Sequence, residues 1–173
     1  MKYIIIPEQK TIHQLPFYFA VEEYVARKYT NDDYFMAWRV EPTVMLGRNQ
    51  LIENEVNIDY CKRNNIHIFR RKSGGGCIYA DKGCMQFSYI SFAENVNSAF
   101  IEYMKSIAEM IKSLGINTEL SGRNDILVDG KKVAGSAFYR LKGRSVLHNS
   151  LLFSTQLEHL SQALTPGKEK LQS

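Results

Sequence analysis

Apolar residues recur along this chain with two different periods, and the periods divide it into elements. Phe19, Val21, Tyr24 and Val25 surround Glu22 and Glu23, which predicts a helix over Phe17 to Tyr29, after Pro16. From Asn97 to Leu114, Phe100, Met104, Ile107, Ile111 and Leu114 fall at helical spacing. Ser98 is placed to cap that helix and Gly115 to end it, and its apolar stripe reads as core. A shorter helix is expected over Asn57 to Asn64, with Asp59 in its first turn. A last one carries Leu157, Leu160 and Leu164, with Ser154 as cap and Pro166-Gly167 as its end.

The rest alternates or runs apolar as strands do. Tyr3 to Ile6 reads as a short buried strand stopped by Pro7. Tyr34 to Val40 and Thr43 to Leu46, on either side of Glu41-Pro42, read as a hairpin pair. Ile66 to Arg70 and Met85 to Phe92 are strands, the second half-buried, with Met85, Phe87 and Tyr89 opposed to Gln86 and Ser88. Asn117 to Leu120, Asp125 to Val128, Lys131 to Phe138 and Val146 to Phe153 complete the set. Turns are expected at Asn31-Asp32-Asp33, at Asp129-Gly130 and at Lys142-Gly143. Strands outnumber helices and come mostly as hairpins. The expected fold is α+β, a mixed and largely antiparallel sheet with packed helices, in a single domain over 1–173.

Composition narrows the function classes. With 173 residues, 45% hydrophobic and 23% charged, the chain has the make-up of a soluble globular domain. A net charge of +4 suits anionic small ligands or an acidic partner and falls short of a nucleic-acid-binding signature. Cys61, Cys77 and Cys84 form no CxxC and no metal-ligand spacing, which reads as reduced thiols in a cytoplasmic protein. No apolar run approaches the roughly 20 residues of a membrane span, and nothing resembles a signal peptide.

Candidate chemistry gathers at Phe69-Arg70-Arg71-Lys72-Ser73-Gly74-Gly75-Gly76-Cys77-Ile78-Tyr79-Ala80-Asp81, where three basic residues run into three glycines. Glycine lets backbone N–H groups close on a ligand, and the adjacent cations suit a phosphate or carboxylate. Taken alone, such a stretch is as easily a solvated surface turn. The run matches neither GxxxxGK[ST] nor GxGxxG, and it continues as a strand, so no P-loop or Rossmann site is implied. Ser73 and Ser136 stand beside glycines but in no GxSxG elbow, and His13, His67, His148 and His159 have no zinc spacing. Lys132 opens a hairpin strand followed by Ala134, Gly135, Ser136 and Ala137, small residues that let a ligand approach the backbone. Its neighbour Lys131 points to the opposite face. Asn124-Asp125 offers oxygen ligands for Mg²⁺, or equally an ordinary turn.

In chain order these segments resemble the lipoate–protein ligase family. The matching stretches are Ala20-Val21-Glu22-Glu23-Tyr24, Glu41-Pro42-Thr43-Val44-Met45-Leu46-Gly47-Arg48-Asn49-Gln50, Glu55-Val56-Asn57 and Arg70 to Gly76 with Tyr79 and Asp81. Ser121-Gly122-Arg123-Asn124-Asp125, Asp129 to Ala137 and His148 with Leu151-Leu152 follow. Each is weak alone; the ordered set is specific. The resemblance implies a biotin/lipoate-ligase-like, class II synthetase-like catalytic domain that forms lipoyl-AMP from lipoate and ATP, with Mg²⁺ on the nucleotide. The lipoyl group then passes to a lysine of an acceptor domain, on a 2-oxoacid dehydrogenase E2 subunit or a glycine cleavage H protein.

By the same resemblance Arg71, Gly75, Gly76, Cys77, Ile78, Tyr79, Asn124 and Lys132 hold ATP. Glu22, Arg71, Ser73, Gly74, Gly75, Lys132 and His148 hold lipoate, with apolar groups near Val21 lining the tunnel. Asp125 serves the metal, and Lys132 is the catalytic cation. The sequence departs from the family pattern at Phe17-Tyr18, Ala80, Cys84 and Leu147-His148-Asn149-Ser150, around the expected acyl pocket. Family catalytic domains continue past the position of Ser173 and many add an accessory domain, so the expectation is that the C-terminal end of the domain and any accessory domain are either missing from this sequence or supplied by a separate domain or subunit. The rival expectations are an octanoyl or lipoyl transferase that works without ATP, and a non-catalytic domain that binds lipoyl-AMP or an acceptor. The transferases carry a cysteine nucleophile in the loop before the lysine hairpin, where this chain reads Leu120 to Asp125 with no cysteine.

Overall fold

In a computed structural model of the chain, residues 1–6, 12–29, 31–93, 95–122, 124–141 and 143–164 are described. The strands are β1 (Lys2–Tyr3), β2 (Tyr34–Trp38), β3 (Thr43–Leu46), β4 (His67–Arg70), β5 (Ile78–Ala80), β6 (Cys84–Ser91), β7 (Glu119–Ser121), β8 (Asp125–Val128), β9 (Lys131–Leu141) and β10 (Arg144–Leu152). The helices are α1 (Leu15–Lys28), α2 (Ile52–Glu55), α3 (Ile58–Arg63), α4 (Val96–Lys112) and α5 (Leu157–Ala163). Seven strands form one sheet in the order β1-β2-β6-β10-β9-β8-β7, antiparallel except for the β1–β2 pair. A second sheet has the order β4-β3-β5, with β3 parallel to β4 and antiparallel to β5. The architecture is α+β, as the hairpin-rich pattern predicts.

Alternation along the long strands decides what covers each face. Phe87, Ile126, Ala134 and Leu147 face α4, whose Tyr103, Met104, Ile107, Ala108 and Ile111 close that side of the large sheet. Each fully buried apolar side chain there is worth roughly 1.5–3 kcal/mol. On the other face Ile90 and Val146 meet Val25 and Ala26 of α1. Farther along, Trp38, Cys84 and Leu152 meet Met45 and Ala80 of the small sheet together with Leu15 and Tyr18 of α1. The outer face of the small sheet, Val44, Leu46 and Tyr79, packs on Cys61 of α3 and Ala163 of α5.

Several expectations are corrected. Tyr34–Val40 and Thr43–Leu46 are not a hairpin, since β2 joins the large sheet and β3 is the centre of the small one. All four residues of β3 are buried, so it needs a layer on each side, which a hairpin lying on one core would not provide. Tyr3–Ile6 is not a buried strand. Its paired part is Lys2–Tyr3 at the exposed edge, and the chain continues with Ile4 N–H donating to Phe35 O at 2.8 Å. Helix α1 starts at Leu15 with Pro16 inside its first turn, where its missing N–H costs nothing. Asn95, not Ser98, caps α4, its side chain accepting from Asn97 N and Ser98 N. Ser154 does not cap α5, whose first turn is approached instead by Asp81, Oδ2 accepting from Gln156 N at 3.0 Å. The short α2 has no counterpart in the periodicity. Pro7, Arg123, Lys142 and Pro166-Gly167 lie outside the described residues. Among those described, no helix is long and apolar enough to cross a membrane.

Candidate active site

Between α1, the small sheet and the large sheet lies a cleft of about 480 Å³. Strand register lays out its floor. Trp38 pairs with Gln86, Gln86 with Ser150, Ser150 with Gly135 and Gly135 with Asp125, one row across five strands. The next row carries Met36, Ser88, His148 and Ala137. Side chains directly opposite in such rows share one face of the sheet, so residues far apart in sequence converge there.

Lys132 reaches that floor because of a β-bulge. Asp125 pairs with Gly135, Ile126 with Ala134, but Leu127 with Lys132, so Val133 is an extra residue. Strict alternation from the buried Ala134 would send Lys132 to the α4 side. The bulge turns it to the side of Gly135. A Cβ at Gly135 would stand 3.2 Å from Lys132 Cε and 3.4 Å from Nζ, so the lysine lies across bare backbone. Its Nζ is 2.7 Å from Asp125 Oδ1, an ion pair that lacks hydrogen-bond geometry. Asn124 is fixed beside it, with Nδ2 donating to Ser136 O at 3.2 Å and its own carbonyl accepting from Ser136 N.

The basic-glycine stretch forms the opposite wall. Arg71 is buried and donates to three carbonyls, Met45 O at 2.8 Å, Gly74 O at 2.8 Å and Gly76 O at 2.7 Å. Its guanidinium therefore shapes the glycine loop from inside. Burial lowers its pKa, an effect the neighbouring Cys77 partly offsets, and no carboxylate pairs with it among the described residues. An anion in the cleft would supply that missing charge. Arg70 points outward to the preceding loop, Nη1 donating to Gly47 O at 3.0 Å and Gln50 O at 2.6 Å. Gly47 is needed for the contact between the two loops, because a Cβ there would fall 1.8 Å from Gly75 O. Gly75 itself holds φ +89, a region glycine enters freely.

At the far end His148 borders the cleft, stacked on Phe19 with centroids 5.6 Å apart. Glu22 lies beneath it with no exposed surface. Glu22 Oε2 is 2.7 Å from His148 Nε2, its Oε1 accepts from Ser88 Oγ at 2.5 Å, and Ser88 Oγ accepts from Trp38 Nε1 at 2.7 Å. Glu22 therefore does not touch the cleft; it anchors the histidine that does.

Of the expected site residues, Arg71, Gly75, Gly76, Cys77, Ile78, Tyr79, Asn124, Lys132 and His148 line one cleft. Ser73 is buried behind the loop and Gly74 lies on its outer surface; neither lines the cleft, nor does Val21. Ala80 and Cys84 are core, packed with Trp38 and Met45, because alternation turns them inward ahead of the cleft. The sequence reasoning missed Trp38 and Gln86, whose alignment with Ser150 depends on register. Among the described residues no three His, Cys, Asp or Glu side chains cluster as a metal would need. Asp125, already paired with Lys132, forms no metal cage by itself. It fits Mg²⁺ only as one oxygen ligand to an ion whose remaining ligands are waters and phosphates.

Residues 14–173 match the model of the lipoyl protein ligase A/B catalytic domain. The chain belongs to that family. It is 35% identical to the lipoate-protein ligase LplJ of Bacillus subtilis (strain 168) over 156 residues, 89% of this chain and 47% of that protein. It thus spans about half the length of the curated relatives it matches. A structure of a bi-partite lipoate protein ligase, studied with its E2 lipoyl domain, from Thermoplasma acidophilum superposes with TM-score 0.80 at 26% identity. The match covers 99% of this chain and 68% of that one. A lipoate-protein ligase A crystal structure bound with ATP gives TM-score 0.75 at 30% identity, covering 84% and 64%. This chain carries a basic glycine loop and a hairpin lysine on facing walls of one cleft. Of the positions expected to depart from the family pattern, Ala80 and Cys84 are core, whereas His148, Asn149 and Ser150 line the cleft.

Proposed function

We propose that this chain carries the active site of an ATP-dependent lipoate–protein ligase. The observation that carries the proposal is the placement of two cations, the buried Arg71 and the floor residue Lys132, about one cleft that also has an apolar end at Trp38 and Phe19. Such a site fits an anionic head with an oily tail. The lipoate carboxylate oxygen attacks the α-phosphorus of ATP, the bond to the β-phosphate oxygen breaks, and pyrophosphate leaves. Lys132 lies where it can meet both the α-phosphate and the acyl carbonyl, so it offsets charge that builds up in the transition state. In this reading the backbone around Gly75–Tyr79 meets the phosphates, with Arg71 holding the loop in shape. Asn124 is positioned for the nucleotide. His148 is positioned for the acyl chain, with Glu22 behind it.

In the second step the amine of an acceptor lysine attacks the acyl carbonyl and AMP leaves. The mixed anhydride is already activated, so no enzyme nucleophile is needed. Cys61 and Cys84 are fully buried, in keeping with that mechanism. Magnesium would arrive on the nucleotide phosphates and could take an oxygen of Asp125. The acceptors are lipoyl domains of E2 type and the glycine cleavage H protein. The proposal includes an accessory domain or subunit acting with this chain, and a cytoplasmic setting where ATP and acceptors meet.

The test is labelling of an apo lipoyl domain by this protein with lipoate. Transfer that needs ATP and releases pyrophosphate supports the ligase. Transfer from a preformed acyl thioester without ATP, through an acyl-cysteine adduct, would make it an acyltransferase.

A further inference from the structure

The middle of the cleft floor is polar where a purely aliphatic tail would want it apolar. Gln86 is buried at 4% exposure and borders the cleft, and its Nε2 donates to Ser150 Oγ at 2.9 Å. A glutamine amide has two N–H donors and an oxygen with two lone pairs. One donor is used on Ser150. The remaining capacity can be met by water in the open cleft or by a ligand.

Register fixes where this amide stands. Gln86 is two strands from Gly135, over which Lys132 lies, and one strand from Trp38. At about 4.8 Å per strand, its backbone is roughly 10 Å from that of Gly135. An acid whose carboxyl carbon sits at Lys132 would bring only the far end of an extended eight-carbon chain near this distance. A plain alkyl chain would strip water from the Gln86 amide and give nothing back. A chain with a hydrogen-bonding heteroatom there would replace the water.

The geometry points to Gln86, braced by Ser150, as the residue that makes this cleft discriminate against unsubstituted alkyl acids. It favours medium-chain acids that carry a heteroatom near the far end, including the ring sulfurs of lipoate. The inference rests on the ligase function proposed for the same cleft and names its substrate class.

The experiment measures acid-dependent ATP–pyrophosphate exchange with lipoate, octanoate and 8-hydroxyoctanoate. Wild-type protein is expected to use octanoate with a kcat/KM about ten-fold or more below the other two. Gln86→Leu should bring the three within about two-fold of one another, mainly by improving octanoate. Gln86→Met, which keeps the length of the side chain and removes the amide, should do the same, and it carries the test if Gln86→Leu does not fold. Equal use of the three acids by wild type, or an unchanged ratio in either variant, would overturn the assignment. Exchange with none of the acids would overturn the ligase proposal itself, a result distinct from exchange without discrimination.

Discussion

The Lys132 ammonium lies 2.7 Å from the Asp125 carboxylate and rests on the bare backbone of Gly135. Asp125 and Gly135 are cross-strand partners, and the bulge at Val133 brings Lys132 to their side of the sheet. The carboxylate thus holds a half-exposed lysine over the cleft floor, in place for a phosphate. Replacing Lys132 with alanine should cost adenylate formation about 10²–10³-fold, on the scale of removing one preorganised charge-stabilising group. The fold should hardly notice, with unfolding free energy within about 0.5 kcal/mol of wild type, as for other exposed side chains. Pyrophosphate exchange and urea titration read the two quantities separately.

Gly47 and Gly74 provide a paired test of the glycine wall. Alanine at Gly47 would place its Cβ 1.8 Å from the Gly75 carbonyl oxygen and 2.9 Å from its carbon, and backbone cannot swing aside as a flexible side chain can. A loss of roughly 2–4 kcal/mol is expected, together with weaker ATP binding. At Gly74 an added Cβ meets nothing within 4 Å, so Gly74→Ala should stay within about 0.5 kcal/mol. Denaturant melts of the two variants side by side check the contrast.

Arg71 is a loop-shaping cation, which makes a charge-conserving change informative. Its three carbonyl acceptors lie one on β3 and two in the glycine loop, and a planar fork reaches them together. Lysine keeps the charge but cannot span all three. Arg71→Lys should destabilise by about 1–3 kcal/mol, through carbonyls left unpaired in a buried setting. The KM for ATP should rise with it, because the loop that holds the phosphates loses its internal brace. Steady-state kinetics at saturating lipoate distinguishes this from a loss confined to kcat.

Much of this was legible in the residues and some was not, for identifiable reasons. The α4 stripe, the Asp129-Gly130 turn and the basic-glycine stretch are local signals, and each appears where local chemistry places it. The opposition of Lys131 and Lys132 follows from alternation, but the side Lys132 faces depends on a bulge that no composition reveals. Thr43–Leu46 looked like half a hairpin because its actual pairing partners, His67–Arg70 and Ile78–Ala80, are distant in the chain and no local pattern names them. Glu22 was expected at the ligand. Only the packing of α1 on the large sheet shows it underneath, bound to His148 and Ser88. Gln86 and Ser150 stand 64 residues apart, and register alone makes them one polar station.

Next to Glu22 on α1, Glu23 looks outward and ties the helix to the glycine wall. It accepts from Lys72, adjacent to Arg71, and from Arg27 Nε at 3.0 Å. Hydrogen bonding to Lys72, then to Arg27, holds the Glu23 pKa below its ordinary 4.5, and the partial burial that opposes this is the smaller effect. A carboxyl with a depressed folded pKa stabilises the fold above its unfolded pKa, and that stability is lost as pH falls through the folded value. The pair is largely solvated, so its contribution is a few tenths to about 1 kcal/mol. Glu23→Gln should therefore be less stable than wild type by that amount at pH 7. The gap should close as pH drops below the usual carboxylate range, and 1 M salt at neutral pH should narrow it as well. Urea unfolding of both proteins across pH 3 to 7 checks this; a gap that does not narrow at all between pH 7 and pH 3 would mean that Glu23 acts through packing and not through its charge.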